Sequence, residues 1–202
     1  YKEGEPETAS DEPPADVLRK FFMFYHLEDD TVNVFEDVAK NSGLPVGGNF
    51  LKRGKYQVSV NGGAVRPPSP QDLQLSNIIS LCGTNWKVIE VDTPTRTLCT
   101  SMPSLFPSFD PRAVAQKLLA EGKDIKAGLE RYDRDGTTCI SVDLFKHAMD
   151  AEGLWRSLSA QERQTIVDYV SEPIAGSTSL GCFYMDLIDL MACVNASSQG
   201  SP

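Results

Sequence analysis

The residues best suited to chemistry are oxygen donors at alternate positions of one short segment. Four side chains and one backbone carbonyl follow this pattern, from Asp133, Asp135, Thr137, Cys139 and Ser141. Oxygen donors at positions 1, 3, 5, 7 and 9 of a twelve-residue loop are the ligands of many protein calcium sites. The spacing therefore predicts a loop shaped around a divalent cation, with Cys139 contributing its carbonyl and Ser141 acting through water.

Two positions of this loop depart from a working calcium site. Position six requires glycine for a sharp turn, and position twelve requires a glutamate that binds through both oxygens. Thr138 stands at the first and Leu144 at the second, while Asp143 comes one residue too early. Only two carboxylates then remain to offset the desolvation of the ion. We therefore expect a degenerate EF-hand-like loop with weak affinity for calcium, and no bound cofactor.

Helix signals surround the loop on both sides. Asp110 followed by Pro111 is a strong helix start, and Ser159 with Glu162 forms a capping box. A last helix is predicted over residues 183–194. Apolar residues at helical spacing flank the loop itself, namely Leu129, Tyr132, Phe145, Ala148 and Met149.

EF-hand-like loops pair through a short β contact at loop position eight, where Ile140 stands. The segment 179–181 is the expected partner of Ile140. In that frame, positions one, three and five of the second loop are Pro173, Ala175 and Ser177. None of these is a carboxylate, so we expect the second loop to be structural.

Short strands separated by turn residues precede the helices. Aromatic and β-branched runs predict strands at 21–25, 31–35, 50–51, 56–60, 78–82 and 86–91, with a last edge strand at 95–100. Polar or glycine-rich segments at 28–30 and 61–63 supply hairpin turns, and 41–49 is expected to be an irregular loop. The pattern indicates a small barrel or sandwich.

Composition divides the chain into three parts. Residues 1–16 carry a net charge of −5 and three prolines, which predicts a disordered acidic leader or linker. Residues 17–109 form the predicted β domain, and 110–202 form the predicted EF-hand-like helical domain, a degenerate pair. Phe106 and Phe109 lie among prolines, which indicates a linker pinned to a surface.

Charge and residue types exclude several functions. Residues 17–110 are neutral and residues 111–202 carry a net −4, which argues against nucleic-acid binding. His26 and His147 lack partners at the spacing of a catalytic or metal site, and no phosphate loop or nucleophile elbow occurs. Five separated cysteines favour reduced thiols. We expect no enzyme activity, no small-molecule substrate and no membrane span, which needs about 20 apolar residues.

Three separated segments carry a resemblance to a known family. They are residues 24–31, residues 41–51, and residues 86–92 with Thr95-Arg96. In this order they resemble the DM-10 domain of ciliary and flagellar axoneme proteins. The resemblance implies an α+β fold, in which a pleckstrin-homology-like small β-barrel closed by a helix precedes the all-α EF-hand-like domain. The helix at Asp110 is either that closing element or the first helix of the EF-hand half.

A DM-10 domain followed by EF-hand-like helices is similar to the C-terminal part of EF-hand-domain-containing ciliary proteins, the myoclonin or protofilament-ribbon family. The resemblance implies a fragment of a structural microtubule inner protein that stabilises the axoneme of cilia and flagella. Its implied partners are tubulin, at the luminal wall of the A-tubule of doublet microtubules, and other axonemal inner proteins. Two alternatives stay open: a calcium-responsive EF-hand adaptor and a lipid-binding barrel module.

Overall fold

The computed structural model describes residues 20–37, 48–173 and 180–199, and its internal contacts divide the chain into two units. The first unit holds the described residues up to Asp72 together with Ile79–Asn85; the second holds Leu73–Ile78 and Trp86–Pro202. The leader expected at 1–16 and most of the loop expected at 41–49 lie outside the described residues. The domain boundaries expected from composition stay predictions.

The described residues form nine strands and six α-helices. The strands are β1 Lys20–His26, β2 Thr31–Asp37, β3 Asn49–Gly54, β4 Val58–Val60, β5 Ile78–Leu81, β6 Thr84–Lys87, β7 Cys139–Ser141, β8 Ser171–Pro173 and β9 Leu180–Phe183. The helices are α1 Thr93–Ser101, α2 Pro111–Ala120, α3 Ile125–Glu130, α4 Val142–Ala151, α5 Ala160–Val170 and α6 Tyr184–Gln199. The strands form three sheets, with the orders β1-β2-β3, β4-β5-β6 and β7-β9-β8.

The fold class implied by the resemblance, a pleckstrin-homology-like barrel followed by an all-α domain, is wrong. The described residues form three small antiparallel sheets and no closed barrel. Strands β4, β5 and β6 are three or four residues long, so each offers few ladder hydrogen bonds for joining one sheet to the next. The third sheet lies among the helices, and the architecture is therefore mixed, with helices and strands interleaved.

Helix α1 occupies the segment where an edge strand was expected, because its start signals outweigh the β propensity of threonine. Asp92 accepts a hydrogen bond from the N–H of Thr95, and Pro94 lies in the first turn, a combination that favours helix initiation. The hydroxyls of Thr97 and Thr100 donate to carbonyls one turn earlier. The helix thus accommodates the threonines that indicated a strand.

The first predicted hairpin is confirmed. β1 and β2 pair from Lys20 opposite Asp37 to His26 opposite Thr31. In the turn between them, the Asp29 carboxylate accepts the N–H of Thr31. The polar turn residues thus close the hairpin, and the core of this unit forms on the face that buries its valines.

The second unit has an apolar core built mainly from helices. The predicted starts of α2 and α5 are confirmed, since Asp110 caps α2 and Ser159 with Glu162 forms the capping box of α5. α2 packs against α5 and α6, so it belongs to the EF-hand half. None of the described helices is long and apolar enough to cross a membrane.

The linker before α2 is pinned to this unit, as its phenylalanines predicted. Phe106 and Phe109 are buried and meet edge to face. The Thr165 hydroxyl on α5 donates to the carbonyl of Ser108 at 2.8 Å, and Arg96 on α1 forms an ion pair with Asp168 on α5. α1 and the linker are therefore packed parts of the second unit.

Candidate functional site

The five candidate cation ligands lie together in one loop between α3 and α4. Gly136 and Thr138 both adopt left-handed backbone angles, with φ of 64° and 60°. Thr138 therefore makes the sharp turn at position six without being glycine, in a conformation that costs a non-glycine residue about 1–2 kcal/mol. The loop keeps its EF-hand-like course despite this substitution.

The Asp133 carboxylate, at position one of the loop, already has three protein donors. Its Oδ2 accepts the N–H of Thr138 at 2.8 Å and the hydroxyl of Tyr184 at 2.9 Å, and its Oδ1 accepts the N–H of Thr137 at 3.2 Å. Desolvation raises the pKa of Asp133, but these hydrogen bonds outweigh it and hold the pKa below its usual range. Burial and the hydrogen bond to Asp133 in turn raise the pKa of Tyr184 to about 12.

The other candidate oxygens also have protein partners or face solvent. Asp135 is exposed. The hydroxyl of Thr137 donates to the carbonyl of Cys139 at 3.2 Å. The hydroxyl oxygen of Ser141 accepts the N–H of Leu144 and caps α4. The loop thus brings the five candidates together, but the side-chain oxygens of Asp133, Thr137 and Ser141 form hydrogen bonds with other groups of the protein.

Position twelve of the loop contributes packing in place of charge. Leu144 is partly buried against the core of the second unit, and neighbouring Asp143 is exposed on the first turn of α4. Among the described residues, no group of three or more His, Cys, Asp or Glu side chains is placed to hold a metal ion. This donor set, as it stands, does not fit a calcium ion.

The pairing partner expected for Ile140 is wrong by two residues. With Pro173 at position one of the second loop, position eight is Leu180. In the structure, Ile140 instead lies opposite Cys182. β8 also pairs with β9, with Pro173 opposite Leu180, so the described residues on either side of 174–179 form paired strands. Pro173 is tolerated because β8 is an edge strand. The predicted positions Ala175 and Ser177 lie outside the described residues.

Both histidines contact protein neighbours. His26 Nε2 lies 2.8 Å from Asn33 Oδ1 across the first hairpin, and the His147 ring packs edge to face on Tyr132. All five cysteines are free thiols.

A second candidate site is the outer face of the β1–β2 hairpin. Phe22 and Phe24 on β1 and Phe35 on β2 point to the same side, with Phe22 directly opposite Phe35. Their exposed fractions are 52%, 49% and 37%. The other side of the same strands buries Val32 and Val34. We call Phe22, Phe24 and Phe35 the aromatic face. The aromatic run in β1 predicted a strand but not this face, because the residues on the other side of the strand, Phe21, Met23 and Tyr25, are also apolar or aromatic.

The rim of the aromatic face is polar and carries paired charges with a slight negative excess. Lys20 stands opposite Asp37 at one end. At the other end, Arg53 binds both Glu28 and Asp29. An apolar centre within a polar rim is typical of protein–protein contact surfaces.

Comparison with known proteins identifies a domain family that matches the first half of the chain. The family model of the DM10 domain matches residues 7–95, a span that includes the β1–β2 hairpin. EF-hand domain-containing family member C2 of Bos taurus is 28% identical over 144 residues, which cover 67% of this chain and 19% of the relative. The Danio rerio protein of the same name is 46% identical over 44 residues, covering 22% of this chain and 6% of its own length.

The chain thus spans about a fifth of the length of the bovine relative. The DM10 match and the names of these relatives confirm the resemblance drawn from residues 24–31, 41–51 and 86–96. Residues 7–95 of the chain match the DM10 domain, and the chain is similar to proteins named for an EF-hand domain.

Proposed function

We propose that this chain is part of a structural protein of ciliary and flagellar doublet microtubules, and that it binds the luminal wall of tubulin through the aromatic face. Support comes from the DM10 match, from relatives named for EF-hand domains, and from the axonemal role that the resemblance implies. The proposal includes that the chain catalyses no reaction and takes no small-molecule substrate.

The aromatic face is the observation that carries the proposal. Phenylalanine side chains add a large apolar area when they are buried against a partner, and an exposed apolar cluster of this kind marks interaction sites. The rim carries no excess of positive charge and so does not attract an acidic partner. Such a surface suits contact by shape with the microtubule lumen, whereas the acidic outer tails of tubulin attract basic proteins.

The size of the face limits what it does alone. With about 200 Å² for each ring, the exposed fractions leave roughly 250–300 Å² to be buried. At about 25 cal/mol per Å² this contributes ~7 kcal/mol. Association costs about 4–15 kcal/mol, so the face by itself gives weak binding. We therefore propose that the face is one of several contacts made along a longer protein. Once one contact has formed, it raises the effective concentration of the others, so that weak contacts together give firm binding.

The test uses the full-length protein that contains this chain, expressed in ciliated cells that lack their own copy. The variant Phe22→Thr/Phe24→Thr/Phe35→Thr removes the aromatic face while keeping residues that favour strands. The matched control is Val65→Thr, which removes another apolar side chain of the same unit, 71% exposed and outside the face. The measurements are the amount of protein retained on purified doublets and its position in a reconstruction of the doublet.

We expect wild type and Val65→Thr on the luminal wall, and retention of the triple variant reduced by at least about tenfold, which corresponds to a loss of ~1.4 kcal/mol or more. Urea unfolding of the purified proteins checks that the triple variant is folded. Equal retention of a folded triple variant rejects the aromatic face as the contact. Wild-type density outside the tubule, or absence from axonemes, rejects the proposed function itself.

A further inference from the structure

The first EF-hand-like loop is closed although its ligand set does not fit calcium. In a calcium-bound loop, the acidic side chains converge on the ion, which neutralises them. Here the Asp133 carboxylate converges instead on N–H and O–H donors of the protein. A carboxylate with several such donors is stabilised in its charged form without a cation.

One of these donors comes from the second EF-hand-like segment, which consists of β8, β9 and α6. Tyr184 is the first residue of α6 and directly follows β9, which pairs with β7 through Phe183 opposite Cys139. The Tyr184 side chain is buried in the core of the second unit, and its hydroxyl donates to Asp133 Oδ2, 51 residues earlier in the chain. The contact therefore connects the first loop to α6, the helix that follows the paired strands β8 and β9.

We propose that Tyr184 takes the place of the cation: its hydroxyl, together with the N–H groups of Thr137 and Thr138, closes the first loop and locks the two hands into one state. The proposal concerns the helical unit alone and is independent of the proposed microtubule role. It assigns to Tyr184 a positioning role that loop spacing does not reveal.

Leu144 completes the lock at the other end of the loop. In calcium loops, position twelve draws the exit helix towards the ion through a bidentate carboxylate. Leu144 instead holds the start of α4 by packing on the apolar core. A calcium ion entering this loop has to displace the Tyr184 hydroxyl from Asp133 and finds no carboxylate at position twelve.

The experiment measures amide hydrogen exchange of the whole chain by NMR, with and without about 5 mM CaCl2, a concentration that covers even weak EF-hands. Tyr184→Phe removes the locking hydroxyl and keeps the ring. Tyr169→Phe is the matched control, because Tyr169 is a partly exposed tyrosine on α5 of the same unit. In wild type and Tyr169→Phe, we expect protected amides at Thr137 and Thr138 and no change on adding calcium.

In Tyr184→Phe we expect exchange at Thr137 and Thr138 to accelerate about tenfold, since local opening becomes easier. A double-mutant cycle with Asp133→Ala, measured by urea unfolding, gives a second readout that does not depend on exchange rates. The two substitutions must be non-additive if the side chains act as a pair. Additive effects, unchanged exchange in Tyr184→Phe, or calcium-induced shifts at Thr137 and Thr138 in wild type each overturn the proposal.

Discussion

Restoring the two altered positions of the first loop should convert it into a calcium site. The variant Thr138→Gly/Leu144→Glu supplies the glycine at position six and the carboxylate at position twelve. Asp133, Asp135 and Thr137 already stand at positions one, three and five. We expect the double variant to bind calcium, and we expect no comparable response from the wild-type chain.

The structure sets the size of the effect. Leu144 is partly buried, and burying a leucine fully contributes about 1.5–3 kcal/mol, so its replacement should remove ~1–2 kcal/mol. Replacing Thr138 by glycine relieves the left-handed backbone strain, which stabilises the folded state by about 1–2 kcal/mol. It also makes the unfolded chain more flexible, which lowers stability by about 0.5–1 kcal/mol. Without calcium, the double variant should thus be about 1 kcal/mol less stable than wild type. Calcium at about 100 times its dissociation constant then adds ~2.7 kcal/mol.

The assay is urea unfolding followed through the fluorescence of Trp155, which is buried beside Phe145 in the helical core. With a denaturant slope of about 2 kcal/mol per M, saturating calcium should raise the midpoint of the double variant by roughly 1 M or more. Thr138→Gly/Leu144→Gln is the control, because glutamine has the size of glutamate and no charge. A calcium-induced rise in the wild-type midpoint, or none in the double variant, refutes this reasoning.

Two further predictions concern stability. Phe145→Ala should lower the free energy of unfolding by about 3–5 kcal/mol, because Phe145 is fully buried and packs on Trp155; a urea midpoint near that of wild type contradicts this packing. Burial and hydrogen bonds to Asp30 and Asp133 raise the pKa values of Tyr25 and Tyr184, respectively, to about 12. Their contribution to stability is therefore complete below pH ~10 and lost as the pH rises towards about 12. Thermal unfolding between these pH values should show a steeper decline in wild type than in Tyr184→Phe, and parallel curves argue against the raised pKa.

The pKa of Asp133 is lowered, so its contribution to stability depends on pH in the opposite direction. Its contribution to stability is present above the ordinary carboxyl value of about 4 and is lost as the pH falls below it. Asp133→Asn should therefore flatten the acid limb of a stability–pH curve. An acid limb identical to that of wild type contradicts the hydrogen-bonded carboxylate.

Local signals in the sequence determined the starts and turns of many elements. Asp110 before Pro111 and the Ser159–Glu162 box place the starts of α2 and α5, since each cap bonds to backbone only a few residues away. The polar turn between β1 and β2 is local for the same reason. Thr95 shows where local signals compete. Its β propensity favoured a strand at 95–100, but Asp92 caps a helix in this segment, and the helix forms.

The amino-acid sequence alone also predicts the degenerate calcium loop, because ligand spacing is read directly from residue types at Asp133 to Leu144. Only the tertiary structure decided that the sheets formed by the described residues do not close into a barrel, that Ile140 pairs with Cys182, and that Tyr184 reaches Asp133. Strand register and sheet closure depend on which faces are buried by residues far away in the chain. The same holds for the aromatic face: alternation placed its rings on one side, and tertiary packing left that side exposed.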